Sequence, residues 1–365
     1  MTEPAKAAVR EAAVGIDWDR FLAVLARHRI EGLAHHALTA AEVALPPAQG
    51  SALARSAADI LRKNLEFAAE AVRIDRAFAA LPHLFVKGST LAMLAYGTLG
   101  LKSAWDIDIL MSSETIAEAG AILTDMGYIC VLPAEPEQTE AWLRYVHETV
   151  WTHPTRGYAV ELHSRLNDNP EMMPGVGLGS PRQRVQVGGG ASLETLAQPE
   201  LFAYLCAHAA RHAFSRLKWL ADIAAFTSVD GVSADDLHSA AERLGARRCS
   251  GTALLLADQV IGTPVDARLL ARLREDPVVR GLAWTARWVM DGGRDGTASC
   301  DGAGGRMLAR KASYIFLASG WRYWARELLD RAVFPYTPAY LKIPPWLRPG
   351  YTLLRMPWWL FSRRT

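Results

Sequence analysis

Two aspartates separated by a single residue are the part of this sequence whose chemistry can be stated first. Asp106 and Asp108 lie in AWDIDILMS, residues 104–112, where apolar and polar residues alternate as in a half-buried β-strand. Side chains two residues apart leave the same face of a strand, with Cα atoms about 7 Å apart. Carboxylates that converge from one face can hold two Mg²⁺ ions about 3.5–4 Å apart, as in two-metal phosphoryl transfer. The pair therefore predicts a catalytic magnesium site, for which Mn²⁺ is an alternative ion.

A short glycine–serine turn precedes the aspartates. The stretch HLFVKG, residues 83–88, is typical of a short buried strand, and a helix is expected to begin at Ser89. Gly88 lets the backbone come close to a phosphate, Ser89 offers a hydroxyl group, and the free N–H groups of a helix start favour anions. Lys87 adds a positive charge. We therefore expect Lys87, Gly88 and Ser89 to bind the phosphates of a nucleotide.

A third carboxylate is expected from a β-hairpin further along the chain. Residues 147–153 and 158–166 read HETVWTH and YAVELHSRL, and they flank the turn PTRG. Glu161 lies on the second of these strands, where it could complete the second metal site or accept a proton. An aspartate pair on a strand is by itself more often a solvated edge than a metal site. The combination of turn, aspartate pair and third carboxylate favours catalysis by Asp106, Asp108 and Glu161.

A helical segment in the second half of the chain carries candidate cations. In AHAARHAFSRLKWLAD, residues Arg211, Arg216 and Lys218 could neutralise a triphosphate, with ordinary surface charge as an equal alternative. His208 and His212 stand four residues apart, a spacing that zinc ligands also use. The glutamate of an HExxH motif is missing, so polar or core contacts are favoured over zinc for these two histidines.

The composition fits a large, reduced, cytoplasmic protein. Hydrophobic residues make up 50% of the 365 residues, enough for an extensive core and two domains. The 40 basic and 38 acidic residues leave a net charge of only +2, which gives no general attraction to nucleic acid. The four cysteines are scattered, so neither a zinc site nor a disulfide framework is indicated. The N-terminus lacks the apolar core of a signal sequence, and no uncharged apolar run of membrane-spanning length occurs.

The helical and strand patterns predict an α+β protein, in which largely α-helical regions precede and follow a small mixed sheet with helices. The predicted parts are a helical N-terminal region 1–82, an α/β core 83–166, a linker 167–190, a helical domain 191–290, a flexible loop 291–305, and a helix with a tail rich in proline and aromatic residues 306–365. Helical spacing runs over residues 16–38, and again over residues 191–226. The tail is expected to wrap the core, with contact to a membrane surface as the alternative.

Several stretches resemble a known family, the bacterial uncharacterised nucleotidyltransferases of the polymerase β-like superfamily. The family's signature of a Lys-Gly strand, a Tyr-containing helix and a D-[IL]-D-[IL]-[LV] strand is similar to LFVKGSTLAMLAYGTLGLKSAWDIDILM. Its N-terminal helix, its helical His…Arg-Leu-Lys-Trp-Leu segment and its proline-rich end resemble DWDRFLAVLARHRIEGLAHHAL, ELFAYLCAHAARHAFSRLKWLADIAAF and LKIPPWLRPGYTLLRMPWWLFSR. Two positions depart from the usual pattern, because Lys102 stands where Arg is common and Glu161 where Asp is common.

The resemblance implies a polymerase β-like nucleotidyltransferase core and an activity. Such an enzyme moves a nucleoside monophosphate from an NTP to an acceptor, releases pyrophosphate and uses two Mg²⁺ ions. Members of this family resemble accessory proteins of peptide natural-product clusters, including those of lasso peptides, and of polysaccharide loci. A peptide or small-molecule acceptor is therefore expected, and nucleic acid is less favoured. Two alternatives stay open: a catalytically silent binding partner in a biosynthetic complex, and a toxin-type tRNA nucleotidyltransferase.

Overall fold

The structure, a computed structural model, describes residues 1–133, 139–144, 146–229, 231–293, 296 and 304–333. The N-terminal helices are α1 (Glu3–Ala12), α2 (Trp18–His28), α3 (Glu31–Ala40) and α4 (Pro47–Ala77). The sheet region contains β1 (His83–Phe85), α5 (Ser89–Tyr96), β2 (Ile107–Met111), α6 (Ile116–Asp125), β3 (Ile129–Leu132), α7 (Thr139–Leu143), β4 (Glu148–Thr152) and β5 (Ala159–His163). A separate pair of strands follows, β6 (Arg182–Gly188) and β7 (Ala191–Leu196).

The remaining described residues form a helical half. It contains α8 (Gln198–Arg211), α9 (Leu217–Thr227), α10 (Ala234–Arg243), α11 (Arg247–Leu256), a π-helical turn (Ala257–Ile261), α12 (Ala267–Glu275), α13 (Pro277–Asp291), α14 (Gly305–Ser313), a 3₁₀ turn (Tyr314–Phe316) and α15 (Trp321–Val333). No helix in the described part of the chain combines the length and the apolar character needed to cross a bilayer.

A five-stranded mixed sheet organises the region between residues 83 and 163. Its strand order is β1-β2-β5-β4-β3, in which β2 and β5 run parallel and the other neighbours run antiparallel. The strands β4 and β5 form the predicted hairpin. The predicted α+β class with a small mixed sheet is confirmed.

The strand β2 lies between two hydrophobic cores. All five of its residues are buried. Ile107 and Ile109 pack in a core that they share with α4 and α6, whereas Leu110 packs in the larger core of the helical half. Because successive side chains on a strand point to opposite faces, Asp108 shares the Leu110 face. The position of β2 therefore directs an aspartate towards the helical half.

The second part of the predicted linker 167–190 contains a β-strand. Residues 182–188 form β6, which pairs with β7 in an antiparallel hairpin. The three glycines 188–190 have positive φ angles and make the turn between the two strands. Val187 and Leu193 are buried in the core that holds β2, and the hairpin packs against β1 and α5. A run of glycines is compatible with a flexible connection and equally with a tight turn. The alternation of buried and exposed residues on either side of the run distinguishes the two.

Two predicted helical stretches are interrupted. The stretch 191–226 contains β7 and then two helices, which separate at Ala213 and Phe214, both with positive φ. Both residues are buried, so tertiary packing overrides local helix propensity at this break. The stretch 16–38 is likewise divided into α2 and α3 at Arg29, which has a φ of 57°.

The last two predicted parts lie only partly within the described residues. Most of the flexible loop 291–305 and the whole tail after α15 lie outside them. The helix α15 buries Tyr323 against the helical half and leaves Trp321 and Trp324 exposed on its other side. The wrapping of the tail and its contact with a membrane surface therefore stay predictions.

One buried amide fixes the loop that leads into β2. The Asn64 side chain on α4 is 3% exposed and donates to the carbonyl oxygens of Leu99 and Lys102. Its Oδ1 atom accepts from the Ala104 N–H group at 3.2 Å. The helix α4 thereby holds the segment immediately before the two aspartates.

We expect Asn64→Ala to lower the free energy of unfolding by about 1–3 kcal/mol, because the substitution leaves buried backbone groups without partners. Urea denaturation followed by circular dichroism measures this change. Arg55→Ala, on an exposed part of the same helix, is the control and should change stability by less than about 0.5 kcal/mol. Equal midpoints for the two variants would contradict this role of Asn64.

Candidate active site

A cleft of about 320 Å³ lies where the five-stranded sheet meets the helical half. Residues of β2 and β5 form one wall, and residues of α8 and α9 form another. The predicted residues that line it are Lys87, Gly88, Asp106, Asp108, Glu161, Arg211, Arg216 and Lys218. Ser89 lies instead in a small adjoining cavity with Lys87, Gly88 and both aspartates. The fold thus brings together groups that the chain separates widely.

Asp108 and Glu161 stand side by side because β2 and β5 are parallel neighbours. The two residues are register partners across these strands. The Asp108 side chain is buried, and its Oδ1 atom lies 2.7 Å from the Lys87 Nζ atom and 3.1 Å from the His163 Nε2 atom. Its Oδ2 atom is buried without a hydrogen-bond partner among the described residues. An unpaired buried acceptor is unfavourable by about 1–3 kcal/mol, so this oxygen is suited to a cation.

Burial and neighbouring charges set the ionisation of the aspartates. Burial opposes the charge on Asp108, but Lys87 and His163 outweigh it and hold the pKa of Asp108 well below its usual range. Burial also opposes the charge on Lys87, yet the charge of Asp108 dominates and raises the pKa of Lys87 well above its usual value. Burial, and then repulsion by Asp108, raise the pKa of Asp106. The two aspartates therefore differ, because the pKa of Asp108 is lowered and that of Asp106 is raised.

Glu161 and His163 share a second part of the same network. Burial is the main cause that raises the pKa of Glu161 to about 7; the hydrogen bond from His163 opposes this increase, and nearby carboxylates add to it. Hydrogen bonds to Asp108 and Glu161 outweigh burial and raise the pKa of His163 to about 10. An added cation beside these carboxylates would stabilise their ionised forms.

The turn before α5 requires glycine at one position. Gly88 has φ 64° and ψ −127°, a conformation that residues with a Cβ atom rarely adopt. The Thr90 hydroxyl donates to the Lys87 carbonyl oxygen at 3.0 Å and holds the turn. A Cβ atom at position 88 would lie 3.7 Å from the Asp106 carbonyl oxygen, so α5 begins beside β2. The first N–H groups of α5 have no intrahelical acceptors, as anion binding at a helix start requires.

The predicted cations differ in whether they form ion pairs with carboxylates of the protein. Arg211 lies 2.6 Å from Asp168 and 3.5 Å from Glu327, and its guanidinium group stacks 4.4 Å from the Tyr314 ring centre. Arg211 therefore has carboxylate partners of its own. Lys218 makes no ion pair with any described residue, and burial, followed by repulsion from Lys102 and Arg29, lowers its pKa to about 7.

Arg216 is the third predicted cation. It stands at the start of α9, where its guanidinium group lies 5.9 Å from the Trp219 ring centre. The break between α8 and α9 places Arg211 and Arg216 on different elements, although both line the cleft.

A buried ion pair joins the two walls of the cleft. The Lys102 Nζ atom lies 2.9 Å from the Asp222 Oδ2 atom, and the Tyr96 hydroxyl group donates to the Asp222 Oδ1 atom at 2.9 Å. Lys102 precedes β2, Tyr96 ends α5 and Asp222 belongs to α9. Asp222 therefore pairs with Lys102 across the fold and not with Lys218 on its own helix.

His208 and His212 form an aromatic part of the wall. Their ring centres lie 4.8 Å apart, and His212 stacks on Trp219 at 4.7 Å. Burial is the main cause that lowers the pKa of His208 far below its usual value and that of His212 to about 3. The groups of described residues that could hold a metal do not include either ring.

The sequence patterns do not predict three other charged residues of the cleft, His147, Glu148 and Asp168. The His147 Nδ1 atom lies 2.7 Å from the Asp168 Oδ1 atom, and its Nε2 atom lies 3.0 Å from the Glu148 Oε2 atom. Burial opposes ionisation of Glu148, but His147 outweighs it and lowers the pKa of Glu148 to about 2. The signal that could have found Glu148 is the register of the predicted hairpin, which sets Glu148 opposite His163.

The family model described as "Uncharacterised nucleotidyltransferase" matches residues 15–262 of this chain. The match covers the helices α2 to α11 and both sheets, and it includes every cleft-lining residue named above except Tyr314. No curated protein and no solved structure is significantly similar to the chain.

We expect Asp222→Leu to lower the free energy of unfolding by about 3–5 kcal/mol, because it leaves Lys102 as an unpaired buried charge. The double change Lys102→Met with Asp222→Leu should be less damaging, since no charge is then left buried alone. Chemical denaturation of these two proteins and of the single variant Lys102→Met measures the difference. If the double variant were as unstable as the sum of its single changes, the ion pair would not join the walls as described.

Proposed function

Because this chain belongs to the uncharacterised nucleotidyltransferase family, we propose that it transfers a nucleoside monophosphate from an NTP to an acceptor. An acceptor oxygen attacks the α-phosphorus, the bond from that phosphorus to the β-phosphate oxygen breaks, and pyrophosphate leaves. The observation that carries the proposal is the side-by-side placement of Asp108 and Glu161 in one cleft, with a buried Asp108 oxygen that has no partner among the described residues.

In this proposal Asp106, Asp108 and Glu161 hold two Mg²⁺ ions, for which Mn²⁺ can substitute. The donor set fits, because magnesium prefers carboxylate oxygens and the Asp108 Oδ2 atom is unpaired. The ions would stabilise charge on the pyrophosphate and activate the acceptor hydroxyl group. Lys87 and His163 keep Asp108 ionised and ready to bind a cation. The raised pKa of Glu161 also makes this residue suitable as the base that takes the proton from the attacking hydroxyl group.

The triphosphate would lie between the turn and the helical half. Gly88 and Ser89 bind phosphate oxygens through the start of α5, which Gly88 allows by its positive φ. Lys218 and Arg216 add positive charge from α9, at the opposite wall of the cleft. Arg211 also borders the nucleotide, but its ion pairs with Asp168 and Glu327 indicate that it mainly orders this wall.

The proposed acceptor is a peptide or a small molecule. A cleft of about 320 Å³ lies at the lower end of the range for small-molecule sites. A net charge of +2 gives little attraction to a large RNA, which makes a tRNA-modifying toxin the less favoured alternative. The resemblance to proteins of lasso-peptide and other natural-product clusters supports a role in biosynthesis. Free Cys130, Cys206 and Cys249 support a reducing, cytoplasmic setting.

A catalytically silent binding module is the second candidate, and one contact favours it. The Lys87 ammonium group lies 2.7 Å from Asp108 and already supplies a positive charge where a metal ion would act. Calorimetry with each NTP, in the presence and absence of Mg²⁺, separates the candidates. An enzyme binds NTP in a magnesium-dependent way, whereas a silent module does not. Mass spectrometry of acceptors incubated with mixed NTPs then identifies the nucleotide and the acceptor together by the added mass.

We expect Asp106→Asn to reduce transfer by about 1000-fold or more, because a lost metal ligand removes several kcal/mol of transition-state stabilisation. Folding stability should be unchanged or higher, because the substitution removes a carboxylate whose charge is opposed by burial and by Asp108. Labelled nucleotide transfer and thermal unfolding measure the two effects. Asp125→Asn, an exposed change on α6, is the control. Transfer that survives Asp106→Asn combined with Asp108→Asn would overturn the mechanism.

We also expect NTP affinity to fall as the pH rises above about 7, because Lys218 has a pKa near 7 in the free protein. A bound triphosphate raises the pKa of Lys218, so NTP binding is accompanied by proton uptake. The affinity for NTP therefore falls as the pH rises. Binding titrations with NTP at saturating Mg²⁺ between pH 7 and 9 measure the change of affinity with pH. The decrease is at most tenfold per pH unit. Lys218→Met should bind weakly with no such slope. An unchanged slope in this variant would exclude Lys218 as its source.

A further inference from the structure

Two imidazole rings converge on one carboxylate at the end of the β4–β5 hairpin. Glu148 and His163 are register partners across these antiparallel strands, and His147 directly precedes Glu148. The Glu148 Oε2 atom lies 3.0 Å from the His147 Nε2 atom and 3.7 Å from the His163 Nδ1 atom. One ligand atom from each residue lies within 4.8 Å of the other two. The three side chains can therefore surround a single ion.

Each of the two rings is oriented by a carboxylate on its other nitrogen. The His147 Nδ1 atom lies 2.7 Å from the Asp168 Oδ1 atom, and the His163 Nε2 atom lies 3.1 Å from the Asp108 Oδ1 atom. Asp168 is itself held by Arg211 at 2.6 Å. Histidines that bind metals commonly donate their second ring N–H group to a carboxylate, which fixes the tautomer and the ring plane. Both rings have this arrangement, and both leave the opposite nitrogen facing Glu148.

The Nδ1 atom of His163 gives an independent sign of a ligand. His163 is 1% exposed, and this atom has no hydrogen-bond partner among the described residues. A buried ring nitrogen in that state is unfavourable by about 1–3 kcal/mol. Its nearest charged neighbour on that side is the Glu148 carboxylate, at a distance too long for a hydrogen bond. An ion between them would satisfy both groups.

The donor set selects the kind of ion. Two imidazole nitrogens and one carboxylate oxygen suit borderline transition-metal ions such as Zn²⁺, Fe²⁺ or Co²⁺, whereas Mg²⁺ takes oxygen ligands. All three residues line the cleft, so further coordination positions open towards substrate or water. We infer that His147, Glu148 and His163 form a binding site for a divalent transition-metal ion. This site is distinct from the proposed magnesium site, and its existence does not depend on nucleotidyl transfer.

Titration of the metal-free full chain with Co²⁺ tests the inference directly. With excess Mg²⁺ present to occupy the proposed magnesium site, one Co²⁺ per chain should bind and give visible ligand-field absorption stronger than that of Co²⁺ surrounded by six oxygens, because nitrogen donors in a lower coordination number intensify these bands. Zn²⁺ should abolish the absorption, and excess Mg²⁺ should not. The alternative is an ion-pair network of protonated rings around Glu148. In that case Co²⁺ would show only the weak absorption of oxygen coordination, and the inference would be overturned.

Matched substitutions separate this site from the magnesium site. Glu148→Gln and His147→Asn should each weaken Co²⁺ binding by about 100-fold or more, since loss of a ligand exceeds the 10–100-fold effect of losing an outer-shell partner. His36→Asn, an exposed histidine on α3, should leave Co²⁺ affinity unchanged. Asp106→Asn should reduce transfer by about 1000-fold or more and keep the Co²⁺ absorption, so failure of one proposal is distinguishable from failure of the other. Wild-type affinity in both ligand variants would overturn the site.

The unmodified protein provides a test that needs no substitution. In the Co²⁺ form, two solvent-exchangeable and paramagnetically shifted imidazole N–H proton resonances should appear, from Nδ1 of His147 and Nε2 of His163. Their count follows from the two hydrogen bonds to Asp168 and Asp108. Absence of shifted exchangeable resonances, despite bound Co²⁺, would place the ion elsewhere.

Discussion

The burial of an ionised Asp108 is the constraint on which this site depends. A carboxylate removed from water is strongly unfavourable unless cations and hydrogen-bond donors surround it. Lys87 and His163 reach it because β1 and β5 are the two neighbours of β2, one on each side. The strand order therefore matters for charge as well as for packing. One oxygen of Asp108 is satisfied by these cations, and the other remains for a ligand.

The local parts of this arrangement could be predicted from the sequence. Alternation over AWDIDILMS predicts the strand that carries Asp108, with Asp106 immediately before its first residue, and the Gly-Ser turn predicts the start of α5. Alternation also gives the hairpin that carries Glu161. The pairing of β2 with β5 is different, because it joins residues that lie about fifty positions apart and leaves no trace in a local pattern. Glu161 could be proposed as a ligand, but its position opposite Asp108 needed the fold.

The misread and missed features have the same physical origin. The glycines 188–190 were compatible with a linker or a turn, and burial of Val187 and Leu193 decides for the turn. The break at Ala213 and Phe214 follows from burial and contradicts local helix propensity. Asp168 lies in the segment that resembled a linker, yet it holds both Arg211 and His147. Each case depends on contacts between distant parts of the chain, which periodicity and composition do not record.

The ion pair between Lys102 and Asp222 has a consequence for how the protein recognises its substrates. The ion pair joins the two walls of the cleft in the ligand-free protein, together with the Tyr96 hydrogen bond and the core shared by β2 and the helical half. A pre-organised cavity loses little conformational entropy when a ligand binds. It also excludes molecules that would need wider walls. Selectivity in this protein would then depend on the shape and the charges that these contacts hold in place.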